Sequence, residues 1–226
     1  MRRFVGFGVP EARTWFIGLE QGGGENLEEL ERRLDAWSRL GAATFADLAD
    51  YCGRMGEHRW HGEHARIQPT LGSLVRMMLA SHGVAPTSDA VRRYQSDHFG
   101  SAKGETVIAE LMPLPSRSIT DWIYSATGVP GLETREAYLR TYRPMRVELL
   151  REAIRSAAPR SVVFLGLTGA STWAEIAGGP FTKGPAGADW ATAGPTRFVI
   201  VKHPTAFGAR NSYFEEIGRA LSGRED

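Results

Sequence analysis

Arg13-Thr14-Trp15-Phe16-Ile17-Gly18-Leu19, followed at once by Glu20-Gln21-Gly22-Gly23-Gly24-Glu25-Asn26, is the stretch that decides the fold class. An almost unbroken apolar run that stops at a Gly-rich turn reads as a buried strand. Leu27, Leu30, Leu34, Trp37 and Leu40 then recur at helical spacing, and Gly41 can end that helix. Strand, turn and helix thus follow one another directly. Three more apolar runs read as strands: 107–112, closed by Pro113 and Pro115, then 161–166 and 197–202. Helices are expected at 44–51, 71–81, 169–177 and 211–221. A longer helical region opens at Thr134, a capping residue, and Pro144 is expected to split it. Apolar strands alternating with helices indicate a parallel sheet covered on both faces. The expectation is a three-layer α/β/α sandwich around a central four-stranded parallel sheet. Residues 1–226 read as one domain, with an inserted helical and loop region at about 42–104.

Composition narrows the classes further. The 226 residues are 42% hydrophobic and 23% charged, as in ordinary globular proteins. No apolar run approaches the ~20 residues of a membrane helix. The first residues carry two arginines and a short apolar stretch broken by Gly and Pro, which does not read as a secretory signal. Cys52 is the only cysteine, so an intrachain disulfide, a four-cysteine metal site and an iron–sulfur cluster are all excluded. A reducing cytoplasm is the expected location. The net charge of +1 leaves nucleic acid open, because a small site needs only a local basic rim. The arginines between Arg135 and Arg160 alternate with Glu136, Glu148 and Glu152, and read as a solvated helix face.

In a parallel sheet, function collects where the loops leave the carboxyl ends of the strands. The first such loop begins with Glu20. Its three glycines allow a ligand close to the main chain, and the N–H groups around Gln21–Gly24 and at the next helix start favour negative charge. No Gly-Lys-Ser/Thr follows, so this is not a P-loop, and the glycine spacing fits a dinucleotide fingerprint poorly. The simpler reading is a flexible turn with a surface Glu. The last such loop begins Lys202-His203-Pro204-Thr205. Proline holds the turn, so the imidazole would project from a fixed base and could donate a hydrogen bond to developing negative charge. A histidine bonded within its own loop is the plainer alternative.

Taken together, Gly18-Leu19-Glu20-Gln21-Gly22 and His203-Pro204-Thr205 resemble the two signature loops of the uracil-DNA glycosylase superfamily. Their order and the α/β pattern between them are also similar, and Pro113-Leu114-Pro115-Ser116-Arg117 matches the family's proline turn after the base-reading strand. The resemblance implies a monofunctional, cofactor-free DNA glycosylase, monomeric, that flips a base out and hydrolyses its glycosidic bond. It implies Glu20 and His203 as catalytic residues, with Gln21 and Gly22 against the base. Trp60 or Phe45, or else Tyr51 or Phe99, would stack on that base. Arg117, Lys202, Thr205 and Arg210 would meet DNA, and Arg92 and Arg93 could add contacts. The sequence departs from the family in having Glu20 where Asp or Asn is usual. It also lacks the family's uracil-reading Asn, and Glu110 is the one polar residue in its place. An ionised Glu only accepts hydrogen bonds, so Glu110 would favour an amino-bearing, cytosine-like base over uracil.

The segment His58-Arg59-Trp60-His61-Gly62-Glu63-His64, near Cys52, invites a metal reading, but its spacing fits no common zinc site and no metal is expected. A loop over the pocket is the better reading. Two other functions remain open on the sequence: a non-catalytic DNA-binding protein on the same fold, or a nucleoside or nucleotide hydrolase that uses the Gly-rich loop.

Overall fold

The computed structural model describes residues 2–62, 64–118 and 120–223. One sheet runs through the molecule. Its strands are β1 (Gly6–Phe7), β2 (Thr14–Glu20), β3 (Phe45–Ala46), β4 (Thr106–Met112), β5 (Ser161–Leu165), β6 (Thr182–Lys183), β7 (Asp189–Ala193) and β8 (Thr196–Val201). Their spatial order is β3-β1-β4-β2-β5-β8-β7-β6. The four strands expected from the sequence, β4-β2-β5-β8, are its parallel centre. The expected four-stranded sheet is therefore extended to eight strands. On one side β1 and β3 are added, and on the other an antiparallel β6–β7 hairpin continues from β8. Three of these extra strands are only two residues long, too short to show a period.

The helices are α1 (Leu27–Arg39), α2 (Leu48–Arg54), α3 (Pro69–Ser81), α4 (Ser88–Asp97), α5 (Arg135–Ala157), α6 (Ala170–Ala177) and α7 (Asn211–Ser222). Two expectations are corrected. The 44–51 stretch begins as strand β3, because Asp47 caps the helix and its carboxylate accepts from the N–H groups of Ala49 and Asp50. Helix α5 runs unbroken through Pro144, which lies on its solvent face, where water can serve the freed carbonyl.

Side chains alternate across the sheet. Trp15, Ile17, Val107, Ala109, Val162, Phe164, Phe198 and Ile200 point to one side, where α5 and α6 supply Tyr138, Leu150 and Trp173. Phe16, Val163, Leu165, Val199 and Val201 point to the other, against Leu74 and Val75 of α3 and Phe214 and Ile217 of α7. The apolar cover on both faces is what permits near-continuous hydrophobic strands. No helix among the described residues is long and apolar enough to cross a membrane.

Candidate functional site

The carboxyl ends of β4, β2, β5 and β8 lie along one edge. In the β2–β5 and β5–β8 ladders, Phe16 pairs with Val163 and Val163 with Val199. Glu20 is the last residue of β2, and His203 comes two residues after the end of β8. The Glu20 carboxylate meets Arg135 at the start of α5, while His203 stands in the turn after β8. With β5 between them, β2 and β8 run ~10 Å apart, two strand spacings. Glu110 on β4 is directly paired with Gly18 of β2.

Glu20 is well shielded and ion-paired. Both its carboxylate oxygens accept from Nη2 of Arg135, at 2.7 and 2.8 Å. Burial pushes its pKa above the ordinary carboxylate value, while the hydrogen bond and charge of Arg135 pull against it. Arg135 also donates to Ser116 Oγ at 3.2 Å, and so ties the first loop to the proline turn.

The Gly-rich loop is strapped to its own helix. Asn26 caps α1, and Glu29 Oε2 accepts from the N–H groups of Gly24 and Glu25, both at 2.9 Å. Of the N–H groups around Gln21–Gly24 expected to line a pocket, that of Gly24 is thus already engaged. Arg33 completes the strap with bonds to Glu29, to Gly22 O at 3.0 Å and to Gln21 Oε1 at 2.6 Å. Arg33 fixes the Gln21 amide by its oxygen, which turns the NH₂ away as a donor. Gly24 adopts φ +79°, and a Cβ there would press on Pro115 O, so glycine is required by conformation and by space. The hydroxyl of buried Tyr124 donates to the same Pro115 oxygen at 2.6 Å.

Glu110 lies deeper than Glu20. Its Oε2 is out of reach of water and has no hydrogen-bond partner among the described residues. Burial first, and then the Glu20 charge, raise its pKa to about 8 against the pull of Arg146. Burial thus favours the neutral acid at Glu110, a form that can donate as well as accept. Gly18 makes the arrangement possible, because a Cβ there would coincide with the Glu110 carboxylate.

His203 leaves the end of β8 with an exposed ring, yet partial burial still holds its pKa below the usual imidazole value. The Thr205 N–H donates to Nδ1 at 3.3 Å, and Thr205 Oγ1 lies 2.9 Å from it. Accepting at Nδ1 leaves the proton on Nε2, which is then a donor on a neutral ring. Thr205 thus orients the histidine. Lys202 lies over the Tyr213 ring at 5.4 Å, while Arg117 and Arg210 are exposed. Phe207, four residues past His203, is fully exposed.

Other expected site residues are not brought together here. Phe45 packs edge-on against Trp15, 5.6 Å between ring centres, on the α5 side of the sheet. Phe99 is buried against Phe16. Trp60 sits in the turn His58–Trp60 with Arg59 over its ring at 4.7 Å, and its carbonyl accepts from Gln95. Tyr51 is buried against Phe7, its hydroxyl beside Arg33. Arg92 pairs with Asp89, and Arg93 is exposed. No group of His, Cys, Asp and Glu fit to hold a metal occurs among the described residues. Glu63 lies outside them.

The arginine stripe also needs correction. Arg135 is half-buried against Glu20, and Arg146 is buried, donating to the carbonyls of Arg2, Phe4, Glu110 and Leu111. The signal lay in phase: Arg135, Tyr138, Tyr142 and Arg146 follow at i, i+3, i+7 and i+11, on the face that packs inward. Two cavities lie elsewhere. One of about 440 Å³ is at the opposite edge of the sheet, around Arg13 and Arg160, and an apolar one of about 180 Å³ is lined by Leu114, Tyr138 and Met145. Neither includes Glu20, Glu110 or His203. Comparison of the sequence with models of known protein families and with curated proteins gives no match. What fold and site define is thus an α/β protein with two carboxyl groups and an imidazole at the carboxyl edge of its sheet.

Proposed function

We propose that this protein is a DNA glycosylase, a monomeric hydrolase that removes a flipped pyrimidine and leaves an abasic site. The observation that carries the proposal is the placement of Glu20 and His203 at the carboxyl ends of β2 and β8, strands two spacings apart, with Glu110 on β4 next to β2. An acid and an imidazole so spaced can hold a sugar–base bond from two ends. The resemblance of the two loops to the uracil-DNA glycosylase superfamily supports the same reading.

A base in a duplex must first leave the stack, at a cost of about a few kcal/mol. The glycosidic electron pair then departs with the base, and positive charge builds on the sugar. The Glu20 carboxylate, ion-paired with Arg135, faces that cation and takes a proton from the attacking water. The water oxygen bonds to the sugar carbon. His203 Nε2–H donates to the base as its negative charge grows. Exposed Phe207 suits insertion into the gap left in the stack, and Lys202, Arg117 and Arg210 suit phosphates.

The test is single-turnover release of base from duplexes carrying uracil, cytosine or a modified cytosine, read as alkali-labile abasic sites. Glu20→Gln and His203→Ala should each slow release ~10²–10³-fold, with unchanged circular dichroism. If neither variant differs from the parent chain, the assignment fails. Binding of duplex with every base left in place would favour a plain DNA-binding protein. Release of base from free nucleosides but not from DNA would favour a nucleoside hydrolase.

A further inference from the structure

We propose that the apolar hollow between α1, the turn after β4 and α5 is a binding site for a small carboxylic acid carrying one ring or a short branched chain. The hollow stands apart from Glu20 and His203, and the inference does not rest on the function proposed above.

Three observations converge on it. First, exposed apolar side chains gather there. Of the six large hydrophobic side chains exposed among the described residues, Leu34, Val129 and Met145 line this one hollow, from α1, the loop before α5 and α5 itself. Scattered single residues of this kind are ordinary, but several meeting at one depression mark an interaction site. Second, the charged side chains on its wall are both cations, Arg2 and Arg146. Neither has an ion pair among the described residues. Exposed Arg2 lies over the Tyr142 ring at 5.1 Å and donates only to its hydroxyl, at 3.2 Å. Third, buried Arg146 has its charge met by carbonyls alone. Its Nε donates to Leu111 O, its Nη1 to Arg2 O and Phe4 O, and its Nη2 to Glu110 O. Each Nη carries two N–H groups, so one on Nη2 has no partner among the described residues. A buried cation without a counter-ion is costly, and an anion in the hollow would offset that cost.

Size and charge together define the ligand. The hollow measures about 180 Å³, and an apolar cavity of roughly 150 Å³ takes up benzene. One ring or one branched chain therefore fills it. A cation there would meet like charge, and a wholly apolar molecule would leave both arginines unanswered. A stable protein interface covers roughly 800 Å² a side, and the other exposed apolar residues, Val84, Leu167 and Phe207, stand outside this wall. A small molecule thus fits better than a protein face. The walls are also preformed, as in most small-molecule sites. Leu114 N–H donates to the Tyr138 hydroxyl at 3.1 Å, which ties the turn to α5, and Trp122 Nε1 donates to Leu132 O at 2.8 Å, which holds the loop around Val129.

The test titrates the full chain with phenylacetate, its neutral amide phenylacetamide, the cation phenethylamine and ring-free acetate, followed by amide NMR shifts. Phenylacetate should bind saturably, with shifts centred on Leu34, Leu114, Val129 and Met145. Phenylacetamide should bind about fivefold more weakly, the order an exposed ion pair supplies, and phenethylamine more weakly still. Arg2→Met should cost phenylacetate about the same fivefold and leave the amide unchanged. Met145→Asp sets a carboxylate at an exposed position in the hollow and should abolish saturable binding of phenylacetate. Leu34→Glu, on the other helix, should do the same. The inference is overturned if phenylacetate does not saturate, if acetate moves the same resonances as far, if the amine binds as tightly as the acid, or if Met145→Asp and Leu34→Glu both bind as the parent does. A concentration-dependent dimer that phenylacetate dissociates would also overturn it, and would give the hollow to a second copy of this chain. Release of base from duplexes, or its absence, bears on none of these outcomes.

Discussion

Gly18 and Glu110 face each other across the β2–β4 ladder, and the absence of one side chain makes room for the other. Such a pair should be energetically coupled. Gly18→Ala should cost about 1–3 kcal/mol in urea melts, as overpacking typically does. In a Glu110→Ala background the same change should cost far less, since the clashing carboxyl is gone. Additive costs would mean that the two do not meet. Glu110 also fixes a pH dependence whose sign can be worked out. Its pKa in the fold, about 8, exceeds the ordinary 4.5, so the folded chain holds a proton that the unfolded chain releases. That contribution is full below about 4.5 and is lost as pH rises through about 8, amounting to a few kcal/mol at most. Glu29 acts in the opposite sense. Burial opposes it, but its bonds from Glu25, Arg33 and Gly24 bring its pKa below 4.5, so its contribution is present above that value and fades in acid. Thermal melts should thus show stability declining between pH 5 and 8 in the parent, and Glu110→Gln should flatten that decline alone.

At the scale of elements, the first loop is held by its helix. Arg33 on α1 reaches Gln21, Gly22 and Glu29, while Glu29 holds Gly24 and Glu25. Arg33→Met keeps much of the length and helix propensity but strands a shielded carboxylate, so a loss of about 2–4 kcal/mol is expected. Amide exchange at residues 22–25 should quicken more than the global change explains. Uniform quickening across the molecule would reduce Arg33 to a general stabiliser. Sequence reading reached the parallel centre because each of its strands is a long apolar run. It also placed Glu20 and His203 at carboxyl strand ends, where the structure has them, because an apolar run that breaks at a turn marks such an end. It missed β1, β3, β6 and β7, which have no long apolar run of their own and stand at the two sides of the parallel centre. It missed Arg33, Tyr124 and Ser116, whose roles arise from contacts distant in sequence. It set Phe45 and Phe99 over the base because aromatic identity does not say which side of a sheet a ring covers. Pro144 misled for a similar reason, since its cost depends on whether the carbonyl it frees meets water.

The whole molecule carries a net charge of only +1, so any hold on DNA must come from the local surface of the carboxyl edge. Arg117, Lys202 and Arg210 belong to the loops that leave β4 and β8 there, beside the exposed ring of Phe207. Cations and ring should leave different signatures. Each phosphate neutralised releases counterions, and the logarithm of affinity for duplex falls with the logarithm of salt at a slope of about −0.9 per contact. Three such cations give a slope near −3, and replacing any one by Ala should bring it about one unit closer to zero. Phe207 carries no charge, so Phe207→Ala should weaken duplex binding at every salt concentration and leave the slope alone. Filter binding or anisotropy from 50 to 200 mM salt would separate the two effects. A slope near zero in the parent chain would deny this edge to nucleic acid. A slope unmoved by all three substitutions would send the DNA to another surface, away from Glu20 and His203, and the proposed chemistry would go with it.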